Sequence, residues 1–162
     1  MAAIQHSISC VTRAVLVARD GYHVSDRPQR VALGTDSPIS LKGSGQLSLW
    51  VSQWYRLVEI AEQNAMHRVV VVGYLYAFDD ANGREVVAFQ WHPQGASPIT
   101  YPHFHLGAGA QIGRRELQGC HIPTGMIALE QVIRLAIEEP GVEPLRGDWD
   151  DVLREGQTVF EE

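Results

Sequence analysis

Apolar residues recur every three or four positions between residues 46 and 64, which is the spacing of one face of an amphipathic helix. The apolar positions are Leu47, Trp50, Val51, Trp54, Leu57, Val58 and Ala61. Ser44 stands just before them, where its hydroxyl can cap the first turn. The pattern predicts a helix over 46–64 with Trp50 and Trp54 on its core-facing side.

A second stripe of this kind begins at Ala128 and is stopped by Pro140 and Gly141. Its apolar members are Leu129, Val132, Ile133, Ala136 and Ile137. We therefore predict a helix over 128–139. A last short helix is predicted to begin at Asp148, with Trp149, Val152 and Leu153 facing inward, and residues 156–162 are expected to form a mobile tail.

Other parts of the chain are rich in β-branched and aromatic residues, which favour strands. Residues 67–78 and 84–92 flank a loop that contains Gly83, so they predict a β-hairpin, and YPHFHLG (101–107) predicts a third strand. An opening hairpin is predicted around Asp20-Gly21. Residues 26–45 are rich in proline, glycine and small polar residues, so they predict a surface connection with one brief strand at 30–33.

These elements predict a single α+β domain spanning residues 1–162. The chain has 162 residues and 45% hydrophobic content, which suffices for one buried core. We expect an antiparallel sheet of about five strands, with the 46–64 and 128–139 helices packed on one of its faces.

The charge and cysteine content restrict the class of protein. The formal net charge is -6, which argues against binding that depends on neutralising many phosphates, so any contact with nucleic acid is expected to be local. Two cysteines, Cys10 and Cys120, are too few for a disulfide framework. No leader peptide and no apolar run long enough for a bilayer are evident, so a cytoplasmic protein without a membrane partner is expected.

The candidate chemistry lies in a cluster of histidines. Four of the seven histidines fall between residues 92 and 121, and each stands next to a proline or at a predicted strand end. These four are His92, His103, His105 and His121. Because side chains alternate along a strand, His103 and His105 share a face while Phe104 points the other way. We expect the rings to converge on a small cleft.

Three interpretations of the cluster are open. In the first, two imidazoles act as acid and base on a phosphodiester, with Tyr101 and Arg114 or Arg115 stabilising charge on the phosphate. In the second, His103 and His105 bind a divalent transition metal such as zinc, together with His121, Cys120 or His92. In the third, the histidines are structural and hydrogen-bond loop carbonyl groups.

The middle of the chain also resembles a known family. GYLYAF, the turn from Asp80 to Glu85, FQWHP and PHFHLG together resemble the TumE-like toxins of prokaryotic toxin-antitoxin modules. The resemblance covers about residues 74–107. The resemblance implies that His92, His103 and His105 are the candidate functional residues, and it makes a nuclease activity an expectation.

The preferred function is therefore a toxin-like ribonuclease, or another phosphodiester-directed enzyme, that needs no cofactor. His103 and His105 are the predicted acid and base, His121 or His92 assists, and Tyr101 orients. Two alternatives stay open: a non-enzymatic module that binds an antitoxin or a subunit of a defence complex, and a metal-binding protein that uses the His-x-His pair. Whether the chain forms a homo-oligomer is left open.

Overall fold

The computed structural model describes residues 2–18, 27–34, 37–43, 45–59 and 67–161. Within these ranges the chain is α+β, with three α-helices and one sheet of eight strands. The helices are α1 (Ala2–Ile8), α2 (Leu129–Glu138) and α3 (Trp149–Glu161). The strands are β1 (Leu16–Ala18), β2 (Gln29–Leu33), β3 (Ile39–Ser40), β4 (Ser48–Glu59), β5 (His67–Asp79), β6 (Glu85–Trp91), β7 (His103–Leu106) and β8 (Ile122–Pro123).

All strand pairs in the sheet are antiparallel. The strand order is β1-β2-β4-β5-β6-β7-β8, and β3 pairs with the start of β4. β4 and β5 are the long central pair, and their register shifts between Trp54 and Tyr55. Paired residues of antiparallel neighbours lie on the same side of a sheet, so the register defines two faces.

One face, which we call the core face, carries large buried side chains. Leu49 and Val51 of β4 pair with Phe78 and Tyr76 of β5, and Tyr76 pairs in turn with Phe89 of β6. The buried members of this face form one cluster with buried residues of the helices, namely Ile8, Leu129, Val132, Ile133, Ala136, Val152 and Leu153. The backbone N–H of Ile127, just before α2, donates to the Tyr74 hydroxyl at 3.2 Å. Buried residues of the helices and of this face of the sheet therefore belong to one hydrophobic core.

The predicted helix over 46–64 is wrong, because residues 48–59 form β4. Leu49, Val51, Gln53 and Tyr55 are buried at a period of two, while Trp50 and Trp54 lie on the other side. Apolar residues on both faces of one strand produce spacings of three and four that imitate a helix. Pairing with β5 along the whole of β4 satisfies its backbone groups and decides the outcome. Residues 60–66 of the predicted helix lie outside the described ranges.

Several other elements are confirmed. The central hairpin is β5 and β6, the YPHFHLG strand is β7, and the brief strand at 30–33 is β2. The two C-terminal helices are α2 and α3. Residues 156–161, which were predicted to belong to a mobile tail, instead form the last turns of α3. Gly141, at a φ of 76°, lets the N–H of Val142 reach the carbonyl of Ala136 and so ends α2.

The number of strands was underestimated, since the sheet has eight strands in the described part of the chain rather than about five. Short strands such as β3 and β8 have two residues each and leave no periodic pattern. The helix α1 was not predicted. The turn and second arm of the expected opening hairpin fall within residues 19–26, outside the described ranges, and β1 pairs with β2. The helices that the structure describes are too short or too polar to span a membrane.

Candidate active site

The second face of the sheet, which we call the histidine face, carries the candidate chemistry. It is defined by Trp54 of β4, Gly73 of β5, Gln90 of β6 and the pair His103 and His105 of β7. These positions alternate with the core-face residues along each strand. Chemistry-bearing side chains thus lie on the side opposite the buried tyrosines and leucines.

Three histidine rings meet on this face. The ring centroids are 4.8 Å apart for His103 and His121, 5.9 Å for His105 and His121, and 6.2 Å for His103 and His105. We call these residues the histidine triad. His103 and His105 stand two apart on β7, and His121 comes directly before β8, which pairs with β7 through His103 and Pro123. Strand pairing therefore brings residue 121 to residues 103 and 105.

His103 is the buried member of the triad, with 4% of its surface exposed. Its Nδ1 lies 2.9 Å from the carbonyl oxygen of Tyr101, which accepts a hydrogen bond when Nδ1 carries the proton. Its Nε2 is buried and has no hydrogen-bond partner among the described residues. Buried polar atoms without a partner are uncommon in proteins, so Nε2 of His103 calls for a functional or structural explanation.

His105 is held by a carboxylate. Its Nδ1 lies 3.0 Å from Oε1 of Glu85, the first residue of β6. This contact favours the tautomer with the proton on Nδ1 and leaves Nε2 as an acceptor. An imidazole oriented by a carboxylate in this way is the arrangement of a general base.

The glycines after β7 bring Glu85 and His105 together. A Cβ on Gly107 would lie 2.2 Å from the backbone oxygen of Glu85, and one on Gly109 would lie 2.6 Å from that of Arg84. The N–H of Gly107 also donates to the carbonyl of Val86 at 3.0 Å. Only residues without a side chain permit this approach. Gly107 and Gly109 therefore allow the backbone after β7 to pack directly against the start of β6.

The turn before Glu85 is also well defined. The carboxylate of Asp80 accepts hydrogen bonds from the side chain of Arg84 and from the backbone N–H groups of Asn82 and Arg84. The hydrogen bond from the Arg84 side chain is the main reason that the pKa of Asp80 falls to about 2. Glu85 therefore follows an anchored turn.

His92 belongs to a neighbouring group on the same face. Its ring lies edge-on to Trp54 at a centroid distance of 5.0 Å. Burial lowers the pKa of His92, and the Coulomb interaction with His103 lowers it further. Trp54 lies across Gly73, and the Arg30 guanidinium stands 5.4 Å from the centre of its ring. His92 is thus electrostatically connected to the triad and in contact with an aromatic and basic neighbour.

The other predicted residues are placed differently. The Tyr101 ring is 5.9 Å from that of His103, and the side chain is 41% exposed. Its carbonyl, rather than its hydroxyl, makes the described contact with His103. Arg114 is exposed, and Arg115 begins a short 3-10 helix, Arg115–Leu117. No contact of Arg114 with the triad occurs in the described part of the chain.

Cys120 is exposed, and its Sγ contacts the carbonyl of Glu116 at 2.8 Å. Across the described ranges, no group of three or more His, Cys, Asp or Glu side chains has the arrangement of a metal site.

Three residues of this face were missed by the sequence analysis: Arg30, Trp54 and Glu85. Trp54 was assigned to a helix core, and the alternation of residues 49, 51, 53 and 55 was the signal that could have moved it to the other face. Glu85 stands within the quoted turn motif, directly before a predicted strand, so its position was visible although its partner was not. Arg30 has no sequence signal, because only the pairing of Arg30 with Trp54 brings it here.

Comparison of the chain with models of known families, with curated proteins and with solved structures found no match.

Proposed function

We propose that the chain is a metal-independent ribonuclease, and that the histidine triad carries its acid-base chemistry. The observation that supports this best is the contact among three imidazole rings, one of them paired with a carboxylate. Imidazole is the side chain best suited to both accept and donate a proton near neutral pH.

His105 is the proposed general base. The Glu85 carboxylate orients its Nδ1, so Nε2 is available to remove the proton from the 2′-hydroxyl of a ribose. The 2′-oxygen then attacks the adjacent phosphorus, and the bond to the 5′-oxygen breaks. The products of this step are a 2′,3′-cyclic phosphate and a free 5′-hydroxyl.

His121 is the proposed general acid, which protonates the departing 5′-oxygen. Its side chain is exposed, whereas His103, the partner expected from the sequence, is almost completely buried. A buried ring has little direct access to a large substrate. His103 therefore acts as the positioning residue behind His105 and His121, held in its own orientation by the Tyr101 carbonyl.

Single-stranded RNA suits the rest of this face. Arg30 lies over Trp54, and its guanidinium nitrogens donate to the Ser52 hydroxyl. Arg56 extends the basic character along the same side, and His92 adds a ring in contact with Trp54. Aromatic and guanidinium groups bind bases and phosphates of single strands without sequence readout. This local character is compatible with the net charge of -6.

The test is cleavage of a mixed-sequence single-stranded RNA in the presence of EDTA, next to an all-deoxy strand of the same sequence. We expect the RNA to be cut, the deoxy strand to survive, and mass spectrometry to find cyclic phosphate ends. Cleavage of the deoxy strand, or loss of activity in EDTA, would contradict the mechanism. Elemental analysis of the purified protein separates the zinc alternative at His103, His105 and His121.

The activity of histidine variants should reflect the role assigned to each residue. We expect His105→Ala and His121→Ala each to lower kcat/KM by about 10²- to 10⁴-fold, as for loss of a general base or acid. His6→Ala, in an exposed histidine away from the sheet, is the matched control and should retain activity. Equal activity of all three variants would remove the triad from the mechanism.

The proposal extends to a role as a toxin, which rests on the resemblance to TumE-like proteins. Expression in a bacterial host should then arrest growth, and the double variant His105→Ala/His121→Ala should relieve the arrest. An antitoxin is the expected protein partner. Arrest that persists in the double variant would separate toxicity from the triad.

A non-enzymatic binding module is the second candidate, and the acidic net charge together with exposed Val58, Val69 and Val70 favours it. Large exposed apolar side chains mark surfaces for protein partners. This candidate predicts partner binding that survives His105→Ala/His121→Ala, and no RNA cleavage by the wild-type protein.

A further inference from the structure

A cavity of about 880 Å³ lies on the core-face side of the sheet, away from the histidine triad. Its walls come from β5, from the three helices and from the segment before α2. The apolar part of the lining includes Ile4, Val69, Val71, Met126, Leu129 and Phe160. This volume is in the range of sites for small molecules, which are typically apolar with a few polar groups that orient the ligand.

One charged residue of the lining is deeply buried. Glu130 of α2 is 4% exposed, and its Oε1 accepts a hydrogen bond from the Ser7 hydroxyl at 2.7 Å. Within the described ranges, no cation and no second hydrogen-bond donor contacts this carboxylate. A buried carboxylate is costly unless it is paired, and a single hydroxyl offsets only part of that cost.

Residues of the neighbouring helices pack closely around the Glu130 carboxylate. Gly156 of α3 also lines the cavity, and a Cβ at this glycine would lie 2.7 Å from Oε1 of Glu130 and 2.6 Å from Oγ of Ser7. Three helices thus converge on the carboxylate, since Ser7 belongs to α1. The position of the charge is set by the fold and does not depend on a mobile surface side chain.

Four further polar side chains lie in the described lining, Gln53, Arg68, Tyr76 and Gln131, and none of them contacts the Glu130 carboxylate. The Tyr76 hydroxyl donates to Oε1 of Gln53 at 3.3 Å, and both side chains are buried. Arg68 also lines the cavity, but its side chain is exposed to solvent. The buried end of the cavity is therefore anionic and rich in acceptors, while most of the remaining wall is apolar.

We propose that this cavity binds a small organic amine, with its ammonium group at Glu130 and its apolar body against the valines of β5 and the Met126 side chain. An ammonium group supplies the positive charge and the donors that the buried carboxylate lacks. A carboxylate or phosphate ligand would place a second negative charge beside Glu130. The site is separate from the histidine triad and does not depend on the proposed ribonuclease activity.

The test compares three probes of the same chain length, n-hexylamine, 1-hexanol and hexanoate, titrated into the full chain at pH 7 and followed by ¹H–¹⁵N NMR. We expect hexylamine to shift resonances of cavity residues and to bind at least about tenfold tighter than hexanol, which corresponds to one charge-assisted interaction of about 1.4 kcal/mol. Hexanoate should produce no shifts there. Binding of hexanoate as tight as that of hexylamine, or no binding of any probe at millimolar concentration, would overturn the proposal.

Variants locate the site. Glu130→Gln keeps the shape and an acceptor for Ser7 but removes the charge, so hexylamine and hexanol should then bind equally. Met126→Trp should weaken both probes by filling the cavity, and Leu117→Ala, in an exposed leucine outside the lining, is the control that should change neither. A preference for hexylamine that survives in folded Glu130→Gln would also overturn the proposal. The wild-type series remains decisive if that variant does not fold.

Discussion

The two faces of the sheet each carry a pair of side-by-side rings, and the two pairs differ in their polar contacts. On the core face, Tyr74 and Tyr76 stack with centroids 4.9 Å apart, and on the histidine face His103 and His105 lie side by side at 6.2 Å. Both tyrosine hydroxyls have partners, the N–H of Ile127 and the side chain of Gln53. Nε2 of His103 has none among the described residues.

The difference indicates that the core face contributes mainly to stability, whereas the histidine face carries the candidate chemistry. The tyrosines bury large apolar surfaces and satisfy their polar atoms, which stabilises the fold. A buried nitrogen without a partner costs free energy, and the core face must compensate for it. Because side chains alternate along each strand, the two faces of one sheet supply both functions without mixing them.

The largest expected effect is on stability, and it comes from the core face. Leu49→Ala removes a fully buried side chain, so we expect the free energy of unfolding to fall by about 2–5 kcal/mol. Leu75→Ala is the matched control, since Leu75 is partly exposed on the histidine face and pairs with Ser52. Urea denaturation followed by circular dichroism measures both. Equal losses would show that the two faces contribute alike.

The next effect is on activity and comes from the histidine face. Glu85→Gln removes the negative charge beside Nδ1 of His105 while keeping the side-chain size. If the proposed roles hold, kcat/KM for RNA should fall by about 100-fold, at the lower end for a positioned acid or base. Stability should change little, because Glu85 is partly exposed at a strand end.

The control for this prediction is Glu116→Gln, in an exposed glutamate of the short 3-10 helix. Its activity should equal that of the wild type. A Glu85→Gln protein with unchanged kcat/KM and an unchanged pH profile would leave Glu85 with a structural role alone.

The close contact between the segment after β7 and the start of β6 can be tested at Gly107. A methyl group there would meet the Glu85 backbone, so Gly107→Ala should lower the free energy of unfolding by about 1–3 kcal/mol and displace Glu85 from His105. Gly113→Ala is the matched control, because nothing lies within 4 Å of its Cβ position. Thermal unfolding and RNA cleavage report the two consequences. Equal behaviour of the two variants would contradict the close approach.

The smallest expected effect is a pH dependence at His92. Burial, and secondly the Coulomb interaction with His103, lowers the pKa of His92 below its ordinary value of 6.5, so the unfolded chain binds this proton at a higher pH than the folded chain. The contribution of His92 to stability is therefore present above about pH 6.5 and is lost as the pH falls towards the folded pKa. Water reaches the ring and screens its charge, so the loss should be a few tenths of a kcal/mol, about the size of an exposed charge interaction.

The measurement is urea denaturation of the wild type and of His92→Gln between pH 5 and 7.5. The variant should lose less stability than the wild type as the pH falls. His6→Gln, in an exposed histidine, should follow the wild type. A wild-type curve parallel to that of His92→Gln would exclude this contribution.

The sequence alone predicted correctly those elements whose pattern depends on neighbouring residues. The stripe from Leu129 to Ile137 has a definite stop at Pro140 and Gly141, and α2 follows it. The residues of the central hairpin favour strands on both sides of a glycine-containing turn, and β5 and β6 follow them. In the same way, alternation alone placed His103 and His105 on one face. These features depend on neighbours within a few positions of the chain.

The tertiary structure decided whatever depends on distant partners. Residues 48–59 became a strand rather than a helix because β5 pairs with them, and this turned Trp54 away from the core and towards Arg30 and His92. The contacts of His105 with Glu85 and of His103 with His121 require strands that pair across about 20 positions of chain. Backbone hydrogen bonding between strands is satisfied only when the partner arrives, so no local pattern contains that information.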